Sequence, residues 1–165
     1  MSEAVDDHLD ELLQRGFRYA LSLVHHHAAA EDLLQEACVG ISRRGGPWHR
    51  GYLFAAIRNA WIDAARRGGV ATVTLSDADL CAEEVDLGTL DGEDTIEQML
   101  HTLAPLEREA LFLMVVEGHT AAEVAELVGV ARGTVLSRVH RAKEKLRRSF
   151  STDPTDPTNP TEVTP

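Results

Sequence analysis

The segment from Thr120 to Arg148 leaves this chain the least conformational freedom. Thr120-Ala-Ala-Glu123 has the spacing of a capping box, in which a hydroxyl and a carboxylate each accept a backbone N–H of the other residue. It opens a short helix that runs to about Val128. Ala125 is expected at a close-packed position, and Gly129 follows where a tight turn needs positive φ. A longer helix runs from near Arg132 to Arg148. Val124, Leu127, Val128, Val130, Val135 and Val139 supply the apolar contacts between the two. This is the pattern of a helix-turn-helix, although an ordinary helical hairpin shares the turn. What distinguishes the two is the second helix, which begins Arg132-Gly133-Thr134 and is expected to expose Ser137, Arg138 and Arg141. Such side chains donate to phosphates and base edges in a major groove.

Charge supports the nucleic-acid reading only when it is read locally. The chain of 165 residues carries 16 Lys+Arg against 27 Asp+Glu, a net charge of -11, which by itself argues against a polyanionic partner. Residues 132–148 nevertheless hold seven basic side chains against Glu144. Residues 43–67 hold six arginines (Arg43, Arg44, Arg50, Arg58, Arg66, Arg67) against Asp63. Between the two patches, residues 68–94 hold eight acids and no base. Charges more than about 10 Å away are screened at physiological salt, so a polyanion feels the patch rather than the total.

Hydrophobic spacing predicts an all-α chain of two small helical domains. Leu9, Leu12, Leu13, Phe17, Ala20, Leu21 and Val24 form one apolar stripe over 8–24. Leu33, Leu34, Ala37, Cys38 and Ile41 form another over 29–42. A third segment, from about Gly51 to Arg67, aligns Leu53, Ala56, Ile57, Ala60 and Ala64. Arg43-Arg44-Gly45-Gly46-Pro47 separates the second from the third. Three helices with short connections make a bundle over 1–67. Residues 68–94 read as a flexible acidic linker, and 95–150 as the helix-turn-helix domain. There Ile96, Met99, Leu100 and Leu103 precede Pro105, which ends that helix or opens the next, and Gly118 closes the following one. The Pro- and Thr-rich residues 151–165 read as a disordered tail.

Two faces of the first bundle stand out. Asp32, Gln35 and Glu36 share an exposed side opposite Leu33, Leu34 and Ala37, and such a side is either a solvated face or a docking face for a basic helix. Asn59, Asp63, Arg66 and Arg67 lie on one side of the third helix, with Trp48, Tyr52 and Trp61 nearby. Arginines beside aromatic rings can grip an unstacked single strand, whereas a buried Tyr52 or Trp61 would be core.

Three blocks together, AEDLLQEACVGI (30–41), YLFAAIRNAWIDAARR (52–67) and LAPLEREALFLMVVEGHTAAEVAELVGVARGTVLSRVHRAKEKLR (103–147), resemble the extracytoplasmic-function, or group four, sigma factors of the sigma-70 family. They occur in the family's order: region two, linker, region four. The resemblance implies a factor that binds core RNA polymerase and directs promoter-specific initiation, under the control of an anti-sigma factor. Asp32, Gln35 and Glu36 match the segment that docks on polymerase. Arg58, Asn59, Asp63, Arg66 and Arg67 match the helix that reads and helps open the downstream promoter element. Arg132, Thr134, Ser137, Arg138 and Arg141 match the recognition helix for the upstream element. The acidic linker matches a connector that threads toward the active-site cleft. Sixteen residues lie between Gln35 and Tyr52, fewer than is usual in the family, and Leu136 stands where a basic residue is often found.

Other classes fit less well. No Gly-rich phosphate loop, nucleophile elbow or metal-ligand spacing is present, so no enzyme, cofactor or metal is expected. His25-His26-His27, taken with His8 and Cys38, makes a poor metal site because adjacent helical side chains diverge. Cys38 and Cys81 form no CxxC pair, and the acidic N-terminus does not read as a secretory signal, so the expected compartment is the cytoplasm. The apolar runs are too short for a membrane span. Two rivals remain: a decoy that sequesters an anti-sigma factor, and a helix-turn-helix regulator acting alone. On this reading the two modules are weak and poorly fixed relative to each other until polymerase sets their spacing.

Overall fold

The computed structural model describes residues 2–67 and 100–151, and all regular secondary structure among these residues is helical. The first half consists of α1 (Ser2–Val24), α2 (His27–Arg44) and α3 (Arg50–Arg67), each packed on the other two. Their apolar stripes meet, except that Ala64, expected on the α3 stripe, is exposed. Leu12, Tyr19, Ala20 and Leu23 come from α1, Ala30, Leu33, Ala37 and Ile41 from α2, and Leu53, Phe54, Ile57 and Ala60 from α3, all buried. Gly16 of α1 sits against side chains of both α2 and α3. A Cβ there would lie 2.8 Å from Leu53 Cδ2 and 3.1 Å from Leu34 Cδ1.

Local chemistry sets the connections. His25 adopts φ +52, so α1 stops there. His26 caps α2, its Nδ1 accepting the Ala29 N–H at 3.4 Å. His27 turns away, to Glu31 Oε1 at 3.4 Å and the Phe17 ring. The three consecutive histidines thus have separate roles. At the far end of α2, Gly45 takes φ +62, and the N–H groups of Gly45 and Gly46 return to the Ser42 and Ile41 carbonyls. These bonds satisfy carbonyls that a helix end leaves orphaned.

In the second half, Pro105 opens α4 (Pro105–Leu111) at a first-turn position, where its missing N–H costs nothing. The Glu107 carboxylate accepts the Ala104 N–H at 3.0 Å, half of a capping box. A wider π-helical turn, Phe112–Val116, follows and closes with the Glu117 N–H on the Phe112 carbonyl at 3.1 Å. It leaves Val115 and Val116 about three-fifths exposed. Then come Gly118 at φ +71, α5 (Ala121–Val128) and α6 (Arg132–Ser151), with α4 and α5 both packed on α6. Leu100 and His101 are helical, as expected of the segment before Pro105. Residues 95–99, the acidic segment 68–94 and the tail from 152 lie outside the described residues.

The two halves are not independent. α1 packs against α4 and the π turn, and α3 against α5. One buried apolar cluster runs from Leu12 through Phe54 to Val139. The expectation of two modules with poorly fixed geometry is therefore corrected, because each half leaves apolar surface that the other covers. Among the described residues no helix is long and apolar enough to cross a membrane.

Gly16→Val should lower stability by about 1–3 kcal/mol through overpacking at the three-helix crossing, measured by urea denaturation.

Candidate nucleic-acid interface

The helix-turn-helix forms as its residues dictate. The Thr120 N–H donates to Glu123 Oε2 at 2.7 Å, and the Glu123 N–H donates to Thr120 Oγ1 at 3.3 Å. The Thr120 N–H first, and the Thr120 hydroxyl donating to the same oxygen at 2.8 Å second, hold the Glu123 carboxyl below its usual range. Gly129 takes φ +70, and Val124 and Val128 meet Val135 and Val139 in the core. Ala125, expected at the closest packing, is only half-buried.

On α6 the buried residues are Val135, Arg138, Val139 and Ala142, an i, i+3, i+4, i+7 stripe. Arg138 is 3% exposed, which corrects its expected place on the outer face. Its helical phase, between Val135 and Ala142, turns it inward. Arg132, Ser137 and Arg141 are exposed as expected, and Thr134 is half-buried beside them. Leu136 and His140 are exposed in the same phase. Charge counting missed His140, but the period of the buried valines would have found it. Arg141 also lies 3.5 Å from Glu107 Oε1, while Lys145 Nζ donates to Glu107 Oε2 at 2.8 Å.

In the first half, Asp32, Gln35 and Glu36 are exposed on α2, and Asn59, Asp63, Arg66 and Arg67 on α3. The fold sets these two groups side by side. Asp32, Gln35, Glu36, Asn59 and Asp63 line one open groove of about 490 Å³, with Arg43 and Arg44 at its edge. Arg67 Nη2 spans the groove to both Glu36 oxygens, at 3.0 and 3.2 Å. Arg66 lies 3.7 Å from Asp63. Of the three aromatic residues expected near this face, Tyr52 and Trp61 are partly buried against the core and Trp48 is 40% exposed.

Arg58 departs most from the sequence reading. It is 8% exposed, and its Nε donates to Glu109 Oε1 at 2.9 Å. The Tyr19 hydroxyl donates to the same oxygen at 2.7 Å, and the Tyr19 ring stacks on Phe54 with centroids 4.6 Å apart. Burial, reinforced by Glu109, pushes the Tyr19 phenol well above its ordinary value, so it stays neutral and donates. Glu109 Oε2 finds no hydrogen-bond partner among the described residues. Nothing in the sequence links Tyr19, Arg58 and Glu109, which only the packing of the two halves brings together. As a correction, Arg58 and Arg138 are not available to nucleic acid in this arrangement, whereas the remaining candidates on α3 and α6 lie at the surface or half-buried beside it.

The same seam has two further polar contacts. The Arg108 guanidinium caps the end of α1 by donating to the Ser22 and Leu23 carbonyls at 3.0 and 3.3 Å. Its pKa is lowered by burial. Glu117 Oε2 lies 3.6 Å from Arg15 and 3.5 Å from Arg50. Beside it, His119 has its pKa lowered by burial first and by Arg50 second.

The chain is similar to known proteins in sequence and in fold. The family model for sigma-70 region 2 matches residues 8–70, and that for sigma-70 region 4 matches residues 93–146. The RNA polymerase sigma factor CarQ of Myxococcus xanthus is 31% identical over 134 residues, covering 76% of this chain and 76% of its own. The ECF sigma factor SigE of Mycolicibacterium smegmatis is 29% identical over 157 residues, and the match spans 88% of this chain but 59% of that protein's length. SigW of Bacillus subtilis is 26% identical, with 90% and 88% covered. Among solved structures, the sigma factor RpoE of Bartonella quintana, in complex with the anti-sigma factor NepR, superposes with a TM-score of 0.67 at 28% identity. That match covers 92% of this chain and 99% of the other.

Thr120→Ala should cost about 1 kcal/mol in thermal unfolding by removing the α5 cap. His119 binds its proton less tightly folded than unfolded, so protonation favours unfolding. Stability should be complete above the ordinary histidine value of 6.5 and decline as pH falls from there toward the lowered folded value. His119→Gln should flatten that decline in denaturation curves taken across this window.

Proposed function

The chain belongs to the extracytoplasmic-function branch of the sigma-70 family, and from that premise we propose that it binds core RNA polymerase and directs promoter-specific initiation. The observation that carries this reading is the exposed face Arg132, Ser137 and Arg141 at the start of α6. It follows a capped helix and a left-handed turn, and sits in the same chain as the α2–α3 groove. A decoy would not need that face, and a regulator acting alone would not need that groove.

In this mechanism Asp32, Gln35 and Glu36 dock on a basic surface of polymerase. Arg132, Thr134, Ser137 and Arg141 read the upstream element in the major groove. Asn59, Asp63, Arg66 and Arg67 engage the downstream element, with Trp48 offering a ring to an unstacked base. Contact with an unpaired strand favours the melted promoter because only that state offers it. Holding both faces on polymerase converts two weak contacts into one bivalent one. The domains divide as 1–67, 68–94, 95–150 and 151–165, the second being an acidic connector that takes a polyanion's path. Polymerase supplies the chemistry, so the factor itself is no enzyme and works in the cytoplasm with polymerase. The likeness to a sigma factor bound by an anti-sigma factor supports control by such a partner.

The test is run-off transcription with purified core polymerase and a promoter library; absence of any promoter-specific product removes this reading. Within it, Arg132→Ala should cost about 1–3 kcal/mol at the upstream element, read by footprinting of the holoenzyme. Asp32→Ala combined with Gln35→Ala should weaken core binding in a pull-down titration with helix content unchanged.

A further inference from the structure

One side chain on the outer face of α6 lies outside the charge pattern. Val135, Arg138, Val139 and Ala142 turn inward, so the side offered to a partner is built from Arg132, Gly133, Leu136, Ser137, His140 and Arg141. All of these except Leu136 are charged, polar or glycine, whereas Leu136 is apolar and 42% exposed. A single leucine on a protein surface is ordinary and needs no explanation by itself. This one stands a turn after Arg132 and a turn before His140, in the middle of the face. A helical side chain leans over the turn that precedes its own Cα, so Leu136 reaches toward Arg132 and Gly133.

Gly133 points the same way. It does not share the positive φ of Gly118 and Gly129, and a Cβ placed on it meets nothing within 4 Å. Neither its backbone conformation nor packing inside the chain calls for a glycine there, and glycine weakens a helix relative to alanine. The missing side chain leaves open the space over which Leu136 leans, and glycine is the residue that lets a ligand come close to backbone. A ligand lying on this face therefore meets a leucine and bare backbone, flanked by Arg132 and Arg141.

We propose that Leu136 selects thymine: its methyl groups pack on the C5-methyl of one thymine of the upstream element, in the major groove. Its role rests on the sigma-factor reading and adds the base that the face prefers. Thymine alone presents a methyl group in that groove, while the other bases present hydrogen-bond donors and acceptors. Leucine offers neither, so it covers the methyl without needing a polar partner and strands the polar edge of a G·C pair. Discrimination comes from both effects, the burial of one methyl and the penalty on the wrong base. Arg132 and Arg141 supply the attraction to the duplex that a leucine cannot. A protein partner would need a contiguous apolar patch, and the neighbours of Leu136 on this face are charged, polar or glycine.

The test uses the full chain assembled with core polymerase and the promoter duplex that the library selection returns. Each thymine of the upstream element, on both strands, is replaced in turn by deoxyuridine, which removes the C5-methyl and leaves base pairing unchanged. One replacement should weaken holoenzyme binding about fourfold in a fluorescence-anisotropy titration, the contribution of one buried methyl-sized group. Leu136→Ala should bind the thymine duplex more weakly and should no longer distinguish it from the deoxyuridine duplex. Leu136→Arg should move the preference at that one base pair to G·C in a repeated library selection, since a guanidinium pairs with guanine O6 and N7. Leu136 lies at the surface, so both variants should keep the helix content of the parent chain. Methyl sensitivity that persists in Leu136→Ala, or an upstream element in which no thymine methyl matters, overturns the role of Leu136 and leaves the sigma-factor reading in place. A holoenzyme that selects no promoter removes that reading and the thymine contact with it.

Discussion

A carboxylate cannot be carried into a protein interior alone, because its lost hydration has to be replaced by donors or an opposite charge. Glu109 meets this requirement with one residue from α1 and one from α3, the Tyr19 hydroxyl and the Arg58 guanidinium. The relative position of the two halves therefore depends on this point. A shift that separates Glu109 from Arg58 strands a charge, and losing one partner of a buried pair typically costs about 3–5 kcal/mol. Stacking of Tyr19 on Phe54 and its near approach to Phe112 hold the phenol in place, so the polar contact is supported by apolar packing from both halves.

The surface that remains follows from what the seam uses. α1 faces α2 and α3 on one side and α4 on another, with His8, Asp10, Glu11, Gln14 and Arg18 left exposed. Also outward are the α2–α3 groove and the outer side of α6, where the candidate contacts lie. In the groove acids and bases adjoin, with Glu36 and Arg67 bridged across it. These residues are well exposed, so the bridge is worth little and yields readily to a partner. Glu107 ties α4 to Lys145 and Arg141 of α6 and also accepts the Ala104 N–H. One side chain thus joins helix start to helix orientation.

Local chemistry made much of this legible. The capping box at Thr120, the left-handed turns at Gly45, Gly118 and Gly129 and the opening Pro105 all form where residue types favour them. So do the stripes that bury Leu12, Leu33 and Leu53. The candidate sites were legible where helical phase alone decides exposure, as for Asp32, Asn59 and Arg132. Arg138 was misplaced because charge was weighed above phase, although Val135, Val139 and Ala142 already marked its side of the helix as inward.

The amino-acid sequence by itself determined the helices, their ends and the basic patches, because each depends on residues within a turn or two. The tertiary structure alone decided that Arg58 is buried. Its phase on α3 is consistent with either outcome. Its partners lie 51 residues away at Glu109 and, through that acid, 90 residues from there at Tyr19. Electrostatic compensation of a buried charge is a property of three-dimensional proximity, and no local periodicity encodes which distant donor will supply it.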